Sequence, residues 1–258
     1  MKKLVASVML FLPAALFAQS PFDGTWKVNL DASKPSPEPL VFSVSNGIYD
    51  CTSCVPAIHV KADGSDQPVT GLSHVTAAVN EIDSHTITIV VKKDGKTVSE
   101  QTRTASEDER TLHVKVTVYP PQSAKPSIEE TTSERIGKPV LGANTTSGSW
   151  KTRKMNGSEG LLLVTYKESA GELSESTPTG SSWTAKYDGE YYPVKGSYHA
   201  DSVSLKKMKD RTIELSFKAG GNIVRVNTIT ISSDGRIMTI VSESKLSGRV
   251  STWVATRQ

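Results

Sequence analysis

The chain has 258 residues, 30 Lys+Arg against 27 Asp+Glu for a formal charge of +3, 18 Gly, 13 Pro and 2 Cys. So small a positive excess excludes the basic stripe that nucleic acid demands, and it speaks equally against an anionic membrane surface. The length suits two domains of ordinary size better than one small core.

In chain order, Lys2 and Lys3 precede an apolar run over residues 4–17, interrupted by Ser7 and Pro13, that ends in Ala14-Ala15-Leu16-Phe17-Ala18. This is the pattern of a cleavable secretory signal, and it predicts residues 1–18 as a signal peptide cut after Ala18. A run of about 14 apolar residues is too short for the ~20 that cross a bilayer. No cysteine follows it, so no lipid anchor is expected, and no later segment reads as a membrane span. The predicted destination is the periplasm or the medium, and cleavage lowers the formal charge by two.

The mature chain opens on Gly24-x-Trp26-Lys27, and Gly148-x-Trp150-Lys151 repeats that opening. After the first comes a Pro-rich crossing over residues 34–39, which suits neither helix nor central strand. Residues 40–44, the Asn46-Gly47 turn and Ile48-Tyr49 carry a hairpin signature. Residues 61–71 (KADGSDQPVTG) recur as residues 186–196 (KYDGEYYPVKG), each with an Asp-Gly turn signal and a short edge-like Pro-Val stretch. Residues 86–91, 96–104 and 112–118 alternate apolar and polar side chains as strands do. In the second half, residues 161–167, 172–177, 183–187, 203–206, 212–218, 222–232, 237–242 and 250–256 do the same.

Thr86 and Thr212, Gly95 and Gly221, Asp108 and Asp234, Arg110 and Arg236 all stand 126 positions apart. A constant offset over such a length points to an internal duplication. The expected organisation is a β-domain over residues 19–137, a linker over 138–147 and a second β-domain over 148–258. No stretch shows helical periodicity, and turn signals recur every 8–12 residues. The expected fold is therefore all-β: two tandem antiparallel up-and-down meanders, each closing into a barrel that removes its sticky edges.

Cys51 and Cys54 lie in YDCTSCVP. In an oxidising compartment an even count favours a disulfide, and one closing so short a loop stabilises little. A redox-active pair is the second reading, although its flanks are β-like and a thioredoxin-type pair sits at a helix N-terminus. A metal site is the third, with His59 and His74 as conceivable further ligands.

No G-x-S-x-G elbow, P-loop or H-E-x-x-H is present, so no catalytic residue, metal site or cofactor is assigned. His199-x-Asp201 would share one strand face, as a solvated pair or a proton relay. The Asp residues of the Asp-Gly pairs, Asp63, Asp94, Asp188 and Asp234, have a structural account in tight turns, against a reading as catalytic carboxylates. Aromatics cluster in the second unit at Trp183, Tyr187, Tyr191, Tyr192 and Tyr198. They read as packing, or as the lining of a mouth for an apolar or sugar-like ligand.

At Gly24-x-Trp26 and Gly148-x-Trp150, each opening a meander, the units resemble lipocalins and their relatives among the calycins. That resemblance implies a Trp packed across the closed barrel end against Arg or Lys from the last strand. Arg135 and Arg257, 109 and 107 residues after Trp26 and Trp150, are the matching candidates. Nearly all the mature chain is also similar to uncharacterised secreted bacterial proteins labelled lipocalin-like. They share the GTWK-N-x-x-x-SK opening (residues 24–34), YDCTSCVP, K-x-DG-x-x-x-PV-x-G, T-I-x-x-x-x-K-x-G and S-x-DG-x-x-x-T. The implied function is non-enzymatic: binding of a small apolar or amphipathic ligand. The alternatives are a cavity-less scaffold engaging an envelope protein, and a redox role for Cys51 and Cys54.

Overall fold

The protein is described from a computed structural model over residues 20–120, 125–197 and 199–258, so the signal segment 1–18 and Tyr198 lie outside the described residues. The first half supplies β1 (Gly24–Lys34), β2 (Leu40–Ser45), β3 (Ile48–Cys51), β4 (Ile58–Lys61), β5 (Gln67–Pro68), β6 (Val75–Asp83), β7 (Thr86–Lys93), β8 (Lys96–Ala105), β9 (Thr111–Val118) and β10 (Ser127–Ile136). The second half supplies β11 (Gly148–Gly157), α1 (Glu159–Leu162), β12 (Leu163–Ser169), β13 (Glu172–Ser176), β14 (Ser182–Lys186), β15 (Asp188–Lys195), β16 (Ser202–Lys209), β17 (Thr212–Ala219), β18 (Asn222–Ile231), β19 (Ile237–Ser244) and β20 (Val250–Arg257). The helical turn α1 was not foreshadowed by any periodicity; it is one turn long and buries none of its residues.

Strand formation follows the period-two pattern. In β17, Ile213, Leu215, Phe217 and Ala219 are buried while Thr212, Glu214, Ser216 and Lys218 alternate with them on the other face. Hairpins turn where two successive residues take positive φ, as at Asn46-Gly47, Asp94-Gly95, Ala170-Gly171 and Gly220-Gly221.

The strands form two ten-stranded antiparallel barrels, one closed and one nearly closed. The expected units nevertheless do not coincide with the barrels. β1 leaves its own half and pairs with β12 and β20, so the closed barrel is β1 plus β12–β20. β11 instead pairs with β10 and β2 and completes the other barrel. One barrel is thus contiguous along the chain, β2 to β11. The other is split, its first strand separated from the rest by the whole of its neighbour. The physical reason lies in the connection of residues 137–147. It folds under the contiguous barrel, with Asn144 Nδ2 donating to Asp83 O at 2.7 Å and Asn144 N to Val44 O at 2.9 Å. It then returns β11 alongside β10, the short-range pairing that consecutive strands favour. β1 fills the remaining slot between β12 and β20.

The contiguous barrel meets itself at β4 and β5. There the Gln67 side chain stands in for a strand: Oε1 accepts from Lys61 N at 3.0 Å and Nε2 donates to Lys61 O at 3.1 Å. A bridge between Asp63 and Asn80 adds to the seam.

One end of each barrel is plugged by Trp and Arg, and the other end faces the sister barrel. Among the described residues, Lys93 Nζ donates to Ser197 O at 3.0 Å, joining the β7–β8 turn to the β15–β16 connection. Arg249, after β19, donates from Nη1 to Ser53 O at 3.2 Å and from Nη2 to Pro39 O at 2.7 Å. Gly220, between β17 and β18, approaches Gly71 O, between β5 and β6. Ser158 exchanges hydrogen bonds with Ile128 at 2.8 and 2.9 Å where the chain crosses back. All of these positions lie at the strand ends opposite the Trp–Arg plugs, so the barrels meet by their far ends.

Candidate functional site

The two plugs are built alike. Trp26 is fully buried and its Nε1 donates to Phe22 O at 2.9 Å; Trp150 is fully buried and donates to Thr146 O at 2.8 Å. Arg257 lies over the Trp26 ring at 4.5 Å and Arg135 over the Trp150 ring at 4.1 Å. Arg257 donates to Gly235 O, Pro21 O and Asp23 O; Arg135 donates to Glu109 O, Thr145 O and Ser147 O. The partners are therefore exchanged relative to the sequence expectation. Trp26 meets Arg257 and Trp150 meets Arg135, because β1 and β11 each serve the other half. The motif glycine has a cause too. A Cβ on Gly148, at φ +138°, would come within 2.5 Å of Arg135 Nη1.

In the contiguous barrel the interior arginine is engaged. Arg103 is 5% exposed; Nη1 donates to the Tyr49 hydroxyl at 3.0 Å and Nε donates to Gln101 Oε1. Its guanidinium lies 4.3 Å from the Phe42 ring centroid. Burial holds the Tyr49 hydroxyl above its ordinary pKa, against the opposing pull of Arg103.

The split barrel is different. Tyr166, Glu175, Trp183, Arg225 and Asn227 share its inward face by register: Tyr166 pairs with Glu175, Glu175 with Trp183, Phe217 with Arg225 and Leu215 with Asn227. Tyr166 donates to Glu175 Oε2 at 2.8 Å and packs edge-on to Trp183, with ring centroids 6.3 Å apart. Arg225 stacks over Phe217 at 4.3 Å. Burial pushes the Glu175 carboxyl above its usual range, although Tyr166, Arg225 and Trp183 pull the other way. Burial likewise lowers the Arg225 guanidinium, and it raises Tyr166 well above its ordinary value. Trp183 Nε1, Arg225 Nε and Asn227 Oδ1 are buried without a hydrogen-bond partner. Trp183 Nε1 lies beside the Glu175 carboxyl but outside hydrogen-bond geometry. Buried polar atoms of folded proteins are as a rule paired, so two unpaired donors and one unpaired acceptor on one inward face are exceptions.

Of the five aromatics singled out from sequence, Trp183 is in this lumen. Tyr187 and Tyr192 pack partly against the same core, with their hydroxyls on Glu168 Oε2 at 2.8 Å and Asp188 Oδ2 at 2.6 Å. Tyr191 turns outward, under Lys218 Nζ at 3.6 Å from its ring centroid and beside Ser216. Tyr198 lies outside the described residues. The aromatics therefore do not converge on one mouth. The residues missed were Glu175, Arg225 and Asn227. Their signal was parity: Arg225 and Asn227 stand in phase with buried Ile229 and Ile231, and Glu175 in phase with buried Leu173.

The remaining expectations resolve locally. Cys51 and Cys54 are disulfide-bonded, Cys51 fully buried and Cys54 half-buried. Hydroxyl donors first and turn amides second lower three of the turn carboxyls: Ser65 Oγ and Ser65 N donate to Asp63, the Tyr192 hydroxyl and Glu190 N to Asp188, and Ser232 Oγ and Arg236 N to Asp234. The Asp201 carboxylate accepts from Ser202 Oγ at 2.8 Å and Gly220 N at 2.7 Å. His199 is an exposed residue, yet desolvation by the surrounding protein and then the charges of Arg225 and Lys93 pull its pKa down to about 4. Among the described residues, no group of three or more His, Cys, Asp or Glu side chains could hold a metal, and no helix is long and apolar enough to cross a membrane. A groove of about 530 Å³ runs over the outer face of β12–β15, lined by Thr165, Lys167, Ser174, Thr184 and Lys195. Glu175 and Trp183, on the inward face by register, also line it.

No protein-family model matches the chain, and no curated protein matches it.

Proposed function

We propose that the chain is a secreted, non-enzymatic binding protein of lipocalin-like character, in which the split barrel takes a small amphipathic molecule into its lumen. The contiguous barrel is its structural partner. The observation that carries this is the set of buried, unpaired polar atoms: Trp183 Nε1, Arg225 Nε and Asn227 Oδ1. A ligand that offers acceptors to the two donors and a donor to Asn227 satisfies all three, while Phe217 and Val194 supply apolar wall. The contiguous barrel supports the second half of the reading, since Arg103 occupies its interior with partners already in place.

Native mass spectrometry of the protein from its secreting host, with organic extraction of what it retains, tests the reading. A stoichiometric amphipathic adduct that disappears in Arg225→Met is the expected outcome. A bare mass in host-derived protein, with the lumen packed solid in an experimental structure, would overturn it. The same spectrum checks the signal, since the mass should correspond to a chain beginning after Ala18.

A further inference from the structure

We infer that the contiguous barrel is the cap of the split barrel's lumen, so that loading requires the two barrels to part at their far ends. The inference rests on the binding reading and adds its gate. The polar cluster lies in the half of the lumen nearest that junction. Arg225 stands four residues past Gly221 of the Gly220-Gly221 turn, and Glu175 and Trp183 flank the connection over residues 177–181. The other end is sealed by buried Trp26 under Arg257.

Two latches hold the junction. Lys93 Nζ grips Ser197 O at 3.0 Å. Arg249 spans the carbonyls of Glu38, Pro39 and Ser53, and its Nε is buried there without a partner. Ser53 is itself fixed between Cys51 and Cys54, and its hydroxyl accepts from Val41 N at 2.6 Å. The Arg249 latch therefore closes onto a loop that the disulfide holds in shape. Both latches join charged side chains to backbone carbonyls, contacts that water can replace when the barrels separate.

The test needs no ligand. Both cysteines of the chain are in the disulfide, so a substituted thiol is the one reactive group in the full-length mature protein. Asn227→Cys and, independently, Ser242→Cys report on the lumen, since the two positions are cross-strand partners on its inward face. Thr184→Cys, exposed on the outer face, is the control. Labelling by a charged methanethiosulfonate is timed with and without the pair Lys93→Ala and Arg249→Ala. Unlatching should speed both lumen reporters by about tenfold or more and leave Thr184→Cys unchanged, as local opening predicts. Equal lumen rates with and without the latches, in proteins of unchanged melting behaviour, overturn the cap. Loss of the retained adduct in the mass measurement, with the labelling gap intact, would instead remove the binding reading and leave the cap standing.

Discussion

The two barrels carry their interior arginines at opposite ends of one scaffold. By register, Arg103 in the contiguous barrel corresponds to Ile229 in the split one, Gln101 to Asn227 and Ser99 to Arg225. Across the lumen, counting from the matched hairpins after Ser45 and Ser169, Phe42 corresponds to Tyr166, Tyr49 to Leu173, Cys51 to Glu175 and Ile58 to Trp183. The contiguous barrel thus keeps an arginine near its plugged end, where Tyr49 and Gln101 satisfy it. The split barrel keeps an arginine near the junction, opposite a carboxyl and an indole, where buried polar atoms stay unpaired. The two barrels share the plug and differ in where the interior arginine sits and in whether it is paired.

The largest effect that could break this comparison is topological. If the contiguous barrel is complete in β2–β11, a fragment over residues 35–158 should fold cooperatively by circular dichroism and thermal melting. A fragment over residues 138–258, which matches the second sequence unit, should not. It contains β11, which belongs elsewhere, and lacks β1, whose pairing closes β12 to β20. Joining residues 20–34 behind residue 258 through a flexible linker, in a fragment starting at residue 158, should restore folding. A cooperative transition in the 138–258 fragment would show that the exchange of first strands is dispensable.

The interior arginines should respond with opposite signs. Arg103→Met removes a buried charge whose partners remain behind, so Tyr49 and Gln101 are orphaned, and a loss of about 2–4 kcal/mol is expected in chemical denaturation. Arg225→Met removes a buried charge with an unpaired Nε, and should leave stability unchanged or raise it by about 1 kcal/mol while abolishing ligand retention. Equal destabilisation by both would mean that the split lumen is satisfied as a structural core.

Much of this fold was legible in the residues. Period-two burial marked β7, β9 and β17, and the Asn-Gly, Asp-Gly and Gly-Gly pairs marked their turns because those residues tolerate positive φ. The partner of β1 was not legible. Its local pattern, Gly-x-Trp-Lys, is the same as that of β11, so either strand fits either slot. What decides is the tertiary course of residues 137–147, anchored by Asn144 on Glu81 and Asp83. The edge closure by Gln67 was hidden for a related reason, since a side-chain amide acting as backbone has no periodic signature. The site was half legible: Trp183 was found by its aromaticity, whereas Glu175 and Arg225 look like ordinary solvated strand residues until their parity is counted.

Coupling between plug residues sharpens the exchange at the level of side chains. In a double-mutant cycle, Trp26→Phe and Arg257→Gln should show an interaction of about 1 kcal/mol, the scale of a desolvated cation–π contact. Trp26→Phe and Arg135→Gln should be additive within about 0.5 kcal/mol, although sequence order would pair them. Coupling in the second cycle and additivity in the first would restore the tandem arrangement.

The smallest expected effect is a pH dependence that belongs to one barrel's lumen. Burial raises the folded-state pKa of Glu175 above its ordinary value of 4.5, against the pull of Tyr166, Arg225 and Trp183. As pH rises through that interval the unfolded chain gives up this proton before the folded one does, so stability falls with rising pH across it. The turn carboxylates Asp63, Asp108, Asp188 and Asp234 act in the opposite sense: their folded pKa values are lowered, so their contribution is lost as pH falls below the usual carboxylate range. Glu129, raised by burial inside the contiguous barrel, adds a limb of the same sign as Glu175. The separation therefore comes from the difference between wild type and Glu175→Gln in the full chain. His199, lowered to about 4, adds a limb of the opposite sign below pH 6.5 that both proteins share. The stability of Glu175→Gln relative to wild type should therefore rise with pH above 4.5 while the acid limb stays the same, read as denaturation midpoints across pH 3 to 8. If the slope above pH 4.5 survives Glu175→Gln unchanged, Glu175 is solvated in the folded state, and the contrast between a filled lumen and an unsatisfied one loses its acidic half.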